Sequence, residues 1–437
     1  MKNALRLLKK VHQKNNSMPQ NWKTYELRDL VNYVNGGSWA ASCYDNTGIP
    51  VVRVSDVNNG TVDLTNCKYL KLEFEEKYKK HSLNYKDVIV CTVGSHPDQQ
   101  SSVVGGIGIV DSNSTGAFLN QNAVLLRSEN SDVLNQIWLG YFCKSSIVKN
   151  HIESEARGSA NQVRIAISNL LNLNLNLPPL PEQTAIASIL STIDAKIENN
   201  LAINKTLEEM AMALYKEWFV DFGPFQDGKF VDSELGMIPE GWEVKRLEYF
   251  IDLNPRLSIP KGKLTTYAEM KILPTNSMSI SEVVKKEFKG GSKFQNGDTL
   301  FARITPCLEN GKTAYVDFLD DNEIAFGSTE FLVMRAKNNV SKFWVYCISR
   351  DPNFRNFSIS TMVGSSGRQR VQNQPFLSYE IAMPSVDIFS DFEEKVEPFF
   401  KQIRQGILAN QSLTTLRDTL LPKLISGEVR LNEFANR

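Results

Sequence analysis

The sequence predicts an α+β protein: two globular α/β units joined by a pair of long, coiled-coil-like helices, expected to be antiparallel, in a pseudo-twofold tandem repeat. Three observations carry this. A very long helical pattern follows Pro178, Pro179 and Pro181, a second copy of it closes the chain, and the segments preceding each copy also repeat. Repeats at long period decide architecture before any single motif does.

The first helix is justified by its stripe. Ile186, Ile189, Leu190, Ile193 and Ile197, then Ile203, Leu207, Met210 and Leu214, recur in steps of three and four, with neither Gly nor Pro from Glu182 to Phe219. That spacing marks one buried helical face, and prolines suit only the first turn. About 38 residues at 1.5 Å each give a rod of roughly 57 Å. The second rod, about Val386 to Leu421, carries Phe389, Phe392, Val396, Phe399, Ile403, Ile407, Leu413 and Leu420. An offset of 206 brings Pro384 onto Pro178, Arg370 onto Arg164 and Leu420 onto Leu214. Pro398 and Gly406 are expected to kink or restart this rod. The stripes suggest that the rods pack on each other; spacing alone leaves parallel and antiparallel pairing open. Asn204 and Asn410 fall near the seams, where a polar residue can fix register, or merely flank them.

The globular units repeat with a shifting offset, as loops of unequal length require. Trp22 matches Trp242, Asp87 in KDVIV matches Asp298 in GDTLF, and Arg127 matches Arg335. Short β-rich runs separated by Asn, Gly and Ser read as strands and turns, with helices expected near Val133–Ile152 and Ser341–Ser349. The partition is a basic arm at 1–20, a first unit at 21–177, the first rod at 178–220, a linker at 221–240, a second unit at 241–383, and the second rod and tail at 384–437. The arm is expected to be a docking helix or an ill-ordered basic segment, with an organelle-targeting peptide as the alternative.

Composition excludes little. Forty-nine basic and 49 acidic residues balance, so net charge announces no polyanion. Six cysteines without CxxC spacing fit reduced thiols in a cytoplasmic protein. The longest apolar or glycine run, Val103–Val110, is too short to span a bilayer. Catalytic signatures fail one by one. Glu309–Thr313 ends like a phosphate loop but lacks its first glycine, which is Pro306. Asn176-Leu177-Pro178-Pro179 departs from the Asn-Pro-Pro-aromatic pattern of amino-methyltransferases, and the four histidines have no metal spacing.

The sharper signal is local. Two acid-poor windows, Ala156–Pro181 and Pro352–Tyr379, sit just before the rods and contain RGSANQVR and GSSGRQR. Arg157, Ser159, Gln162 and Arg164, and Arg368, Gln369 and Arg370, could reach phosphates and base edges. Loops after matched strands add Ser95 and His96, Arg303, Thr305, Asn310 and Lys312. Asn120, Gln121 and Asn122 align with Ser328, Thr329 and Glu330, and Arg53 lies in the β-rich run IPVVRVSDV. Polar tips at one end of matched strands suit a recognition face, although turn chemistry alone would select many of the same residues. Leu201, Trp218 and Phe219 are expected on outer rod faces for partner helices, unless Trp218 and Phe219 pack on the chain's own domains.

Together, LPPLPEQTAIASIL, KIENNLAINKTLEEMAMALYKEWF and SELGMIPEGWEVKRL closely resemble the specificity subunit of type I restriction–modification systems. FQNGDTLFARITPCLENGK with AFGSTEF, and TVGSHP with FLNQN, look like two classes of its target recognition domains. The resemblance covers the chain from Trp22 onward and implies a non-catalytic subunit. In it, two recognition domains each read half of a split double-stranded DNA site. The rods set the unread spacer: two readers about one turn apart are separated by roughly 34 Å, which a 57 Å rod can bridge. Two methyltransferase subunits would dock and methylate adenine with S-adenosylmethionine, and motor-nuclease subunits would use ATP and Mg, so no cofactor is expected on this chain. The differing loops imply an asymmetric site. The rival readings are a two-headed protein-binding scaffold without a DNA role, and a methyltransferase or nuclease in its own right.

Overall fold

The computed structural model describes residues 19, 21–58, 60–94, 104–155, 157–159, 162–280, 283–365 and 367–431; for 157–159 and 162 only the backbone is described. The expected arm at 1–20 lies, apart from Pro19, outside the described residues. The chain divides into two units, Met1–Ala195 with Leu413–Arg437, and Lys196–Ser412. Each contains one globular repeat and part of both rods, so the two domains are joined by long helices.

In the first unit, strands Ile107–Ile109, Val88–Cys91, Ala123–Ser128 and Val31–Asn35 form an antiparallel sheet in that order. In the second, Thr313–Tyr315, Thr299–Ala302, Phe331–Ala336 and Ile251–Leu253 repeat the order. The strands VIVC and TLFA are buried along their whole length because both faces are covered, which is why neither alternates in polarity. A second small sheet in each unit contains one parallel pair, Phe118–Leu119 with Ile49–Val52 and Ala325–Gly327 with Leu264–Ala268.

Aspartates and arginines matched by the repeat pair with each other. Arg127 Nε and Nη2 lie 2.8 and 2.6 Å from the Asp87 carboxylate, and Arg335 Nε and Nη2 lie 2.7 and 2.8 Å from that of Asp298. Each aspartate also accepts a backbone N–H three residues before it, from Asn84 and Gln295. The helix expected at Val133–Ile152 is two helices, Gln136–Cys143 and Ser146–Glu155, because the chain turns at Lys144–Ser145 to bury Val148 and Ile152 separately. The helix near Ser341 runs Lys342–Arg350 under a Ser341 cap, and a second one, Pro352–Ser360, follows. Trp138 and Trp344 fill equivalent core positions beneath the main sheets.

The rods span Leu180–Phe219 and Val386–Ser426. In the first unit, Asp194 accepts from Tyr141 Oη (2.7 Å) and from Arg417 Nη1 (2.9 Å). In the second unit, Asn200 Nδ2 donates to Asn410 Oδ1 at 2.8 Å, and Phe219 meets Phe389 and Phe392. Rising numbers on one rod meet falling numbers on the other, so the pair is antiparallel. Asn410 is therefore in the seam, and Asn204 sits against Gly406, where an added Cβ would come within 2.5 Å of its Oδ1. Gly406 provides room for that side chain. The rod does not restart at Pro398: the helix continues through it, flanked by the buried side chains Val396, Phe400 and Ile403. Packing on both sides offsets the missing backbone bond. The stretch 221–240, expected as a linker, holds a hairpin of Phe230–Ser233 and Gly236–Pro239, and Phe222 and Phe225 pack on Trp242.

Candidate nucleic-acid interface

In the second unit, the strand Thr299–Ala302 runs out into Arg303–Pro306, and this loop lies between two others. Arg303 N donates to Glu330 O at 3.0 Å, while Val371 N donates to Arg303 O at 2.9 Å. Thr305 N donates to Gln369 O, and Gln369 N donates to Thr305 Oγ1 at 2.8 Å. Segments 303–306, 328–330 and 368–371 thus form one surface. On it, Arg370 clasps the Glu330 carboxylate, with Nε 3.0 and 2.9 Å from its two oxygens and Nη2 2.8 Å from Oε1. This hydrogen bond and the carboxylate's charge raise the Arg370 pKa further.

The first unit assembles the equivalent three segments. Thr92 N donates to Asn122 O at 2.8 Å, Ile165 N donates to Thr92 O at 2.9 Å, and Val93–Gly94 pairs with Val163 and Arg164. Arg157–Ser159 pairs in turn with Gln162–Arg164, so these two strands lie beside Val93–Gly94 in one small sheet. Arg164 is exposed, and Asn122 occupies the place of Glu330. In each unit an Asp–Arg pair with a buried carboxylate ties the two central strands together at the ends away from the loops, so the loops project from a stiff scaffold.

The predicted site residues divide by what they hold. Ser95 and His96 lie outside the described residues, and of Arg157, Ser159 and Gln162 only the strand backbone is described. Gln121, Thr329, Asn310 and Arg368 are exposed, and Arg368 has no side-chain partner among the described residues. Asn120 Nδ2 reaches Tyr44 Oη at 3.3 Å, and Asn122 takes a left-handed turn conformation at φ 73°. Ser328 Oγ accepts from Glu330 N. Three cations are already committed. Arg53 forks onto Asp56, whose carboxylate also accepts from Arg53 N, and donates to Asn66 O; Lys312 Nζ donates to the Met270 and Lys271 carbonyls; Arg303 Nη2 donates to Val371 O. Arg53 and Lys312 each close a loop of their own unit, and releasing either would strip hydrogen bonds from it.

The outer-face expectation fails at two of its three residues. Phe219 is buried among Phe389, Phe392, Trp344 and Trp242, and Trp218 packs on Phe392 beneath Lys395. They follow Tyr215 on the face that enters the second core. Leu201 is 57% exposed and keeps its place on the outer surface.

Sequence reasoning missed a set of lysines lying over aromatic rings on or beside the second small sheet of each unit. Lys68 lies over Tyr44 (5.2 Å) and Lys77 over Tyr78 (5.1 Å); Lys286 lies over Tyr267 (4.2 Å) and Lys293 over Phe288 (5.3 Å). The signal was present in KYLKLEFEEKYKK and VVKKEFKGGSK, where lysines interleave with aromatics. Zero net charge concealed it. Strand Ala325–Gly327, which pairs with Ser292–Phe294, leads directly into Ser328. In the second unit the sheet that carries these lysines is thus joined through the main chain to one of the three loops.

The sequence matches the family described as "Type I restriction modification DNA specificity domain" over residues 19–209. It is 25% identical to the type I restriction enzyme MjaIX specificity subunit of Methanocaldococcus jannaschii, over 95% of each chain. It is 22% identical to the HindI specificity subunit of Haemophilus influenzae, covering 93% of this chain and 99% of that one. The fold is similar to the crystal structure of the type I restriction–modification S subunit from M. genitalium, with a TM-score of 0.56 and 17% identity over 95% of this chain and 98% of that one.

Proposed function

We infer that this chain, which belongs to the type I restriction–modification specificity subunits, reads DNA sequence on behalf of catalytic partners and performs no chemistry itself. Each unit reads one half of a bipartite site through its three converging loops, and the antiparallel rods set the length of the unread spacer. Two methyltransferase subunits dock on the chain and methylate adenine with S-adenosylmethionine; motor-nuclease subunits add ATP- and Mg-dependent translocation and cleavage. No helix among the described residues is long and apolar enough to cross a membrane, and a cytoplasmic location follows from the DNA substrate.

The observation that supports this reading best is the repetition of the loop surface. Hydrogen bonds at equivalent positions gather the same three segments in both units, while their side chains differ: Arg370 with Glu330 in one, Arg164 with Asn122 in the other. A conserved frame carrying unlike polar tips is what two different half-sites require. A scaffold that bound only protein through its rods would not need it.

Single-molecule methylome sequencing of the host, with and without this gene, tests the reading. The expected result is an asymmetric, interrupted adenine-methylation motif that disappears with the gene. A palindromic, uninterrupted motif, or a methylome indifferent to the gene, would refute it.

A further inference from the structure

We propose that Arg370 reads a guanine in the half-site of the second unit, and that Glu330 is the positioning residue that turns its guanidinium toward the base. This rests on the DNA-reading function inferred above and assigns one letter of it. A guanidinium has five N–H donors in a planar fork. Glu330 takes Nε–H and one N–H of Nη2. The outer edge, formed by Nη1 and the other N–H of Nη2, has no partner among the described residues. That edge presents two parallel donors, the pattern matched by O6 and N7 of guanine in the major groove.

The backbone holds the pair in place. Ile304 bridges to Arg370, Val363 pairs with it from the other side, and Arg303 N fixes the Glu330 carbonyl. Charge then separates a base from a phosphate as the target. Arg370 and Glu330 together are neutral, and the carboxylate would repel a phosphate brought to the same edge; a base edge carries no net charge and meets no such penalty. Arg368, exposed and without a carboxylate, has the opposite character and suits a phosphate. In the first unit Arg164 has Asn122 in the place of Glu330, so the same orienting device is missing there.

The test selects bound sequences from a randomised duplex library, using the full chain in complex with its modification subunits. Arg370→Ala should lower the guanine preference at one position of one half-site by about 10- to 100-fold, leaving the other half-site's letters unchanged. Arg370→Gln should move that position toward adenine, whose N6 and N7 suit an amide. Glu330→Ala should weaken the guanine preference with Arg370 still present, and Glu330→Asp should restore part of it. Retained selection at the remaining letters of the same half-site shows that each variant is folded. The proposal is overturned if Arg370→Ala keeps every letter of the motif, or if affinity falls equally on all duplexes, the behaviour of a phosphate contact. If the unmodified complex selects no sequence at all, the DNA-reading function itself fails.

Discussion

Replacing Arg335 by Met tests the pairing that anchors each main sheet. The Asp298 side chain is 1% exposed and its carboxylate receives three hydrogen bonds, two from Arg335 and one from Gln295 N. Methionine approximates the arginine stem in volume but leaves a buried carboxylate with a single donor. Removing one partner of a buried pair costs about 3–5 kcal/mol. For a unit the size of Lys196–Ser412, each kcal/mol lowers the melting temperature by about 2–4 °C, so the transition of the second unit should fall by roughly 6–20 °C. Thermal unfolding of the full chain, followed by tryptophan fluorescence, reads this through Trp218, Trp242 and Trp344, which all lie in that unit.

The double variant Asp298→Asn with Arg335→Met carries the decisive comparison. Its amide oxygen still accepts from Gln295 N, and no charge is stranded, so at least half of the lost stability should return. Glu269 and Lys271, paired on the surface with side chains 31% and 76% exposed, supply the contrast. Breaking that pair should cost under about 1 kcal/mol. A loss of that small size for Arg335→Met would refute the argument, as would a double variant no more stable than the single one. Arg127→Met should reproduce the effect in the first unit, because the geometry at Asp87 is the same.

Burial opposes the charge on Glu323, but hydrogen bonds from Lys285, Thr266 and Thr265 overcome it and pull its pKa down to about 2. Its stabilising contribution is therefore present above the ordinary carboxylate pKa and lost as pH falls from about 4.5 toward 2; Glu323→Gln should flatten this acid limb in melting temperatures taken between pH 5 and 2.5. In the rod seam, Asn410→Leu leaves the buried Asn200 amide without its partner and should cost about 1–3 kcal/mol, recovered when Asn200 is also changed to Leu. A heptad inserted into Ile193–Met210, matched by one in the facing stretch of the second rod, adds about 10 Å. That corresponds to about three base pairs at 3.4 Å each, so the methylated motif should gain spacer and keep both half-sites. Changing Lys289 and Lys293 to Gln should weaken binding equally on cognate and non-cognate duplexes and reduce the salt slope by up to about 2.

How much of this was legible in the sequence depended on whether the repeat could be used. Aligning the halves put Asp87 with Asp298 and Arg127 with Arg335, and those residues proved to be the two buried pairs. It also singled out the loops that converge, since 92–94, 120–122 and 162–165 meet through backbone bonds as 303–306, 328–330 and 368–371 do. What it could not show was which cations were already occupied. Arg53 and Lys312 look like free basic tips until Asp56 and the Met270 carbonyl are brought beside them by the fold. Trp218 and Phe219 misled for a related reason: helical periodicity identifies a stripe but not which neighbour covers its end. Pro398 does not restart the helix because the flanking core side chains, invisible to local propensity, keep it continuous.

The same comparison separates the parts of this molecule that resist change from those that can vary. The Asp–Arg pairs, the capped helices bearing Trp138 and Trp344, and the backbone bonds among the three loops recur in both units, and each is buried or made by main chain. The side chains that differ, Glu330 against Asn122 and Arg368 against Gln162, stand on loops whose course those recurring features fix. A substitution at such a tip removes no core contact and strands no buried charge, so it should alter a recognised letter at little cost in stability. Exchanging Glu330 for Asn therefore makes a direct comparison with the first unit. The variant should melt within about 0.5 kcal/mol of the parent, as surface changes usually do, while its half-site preference shifts at the guanine position. A large loss of stability would mean that the Arg370–Glu330 clasp supports the fold, and that reading and scaffolding are not divided in this chain as argued.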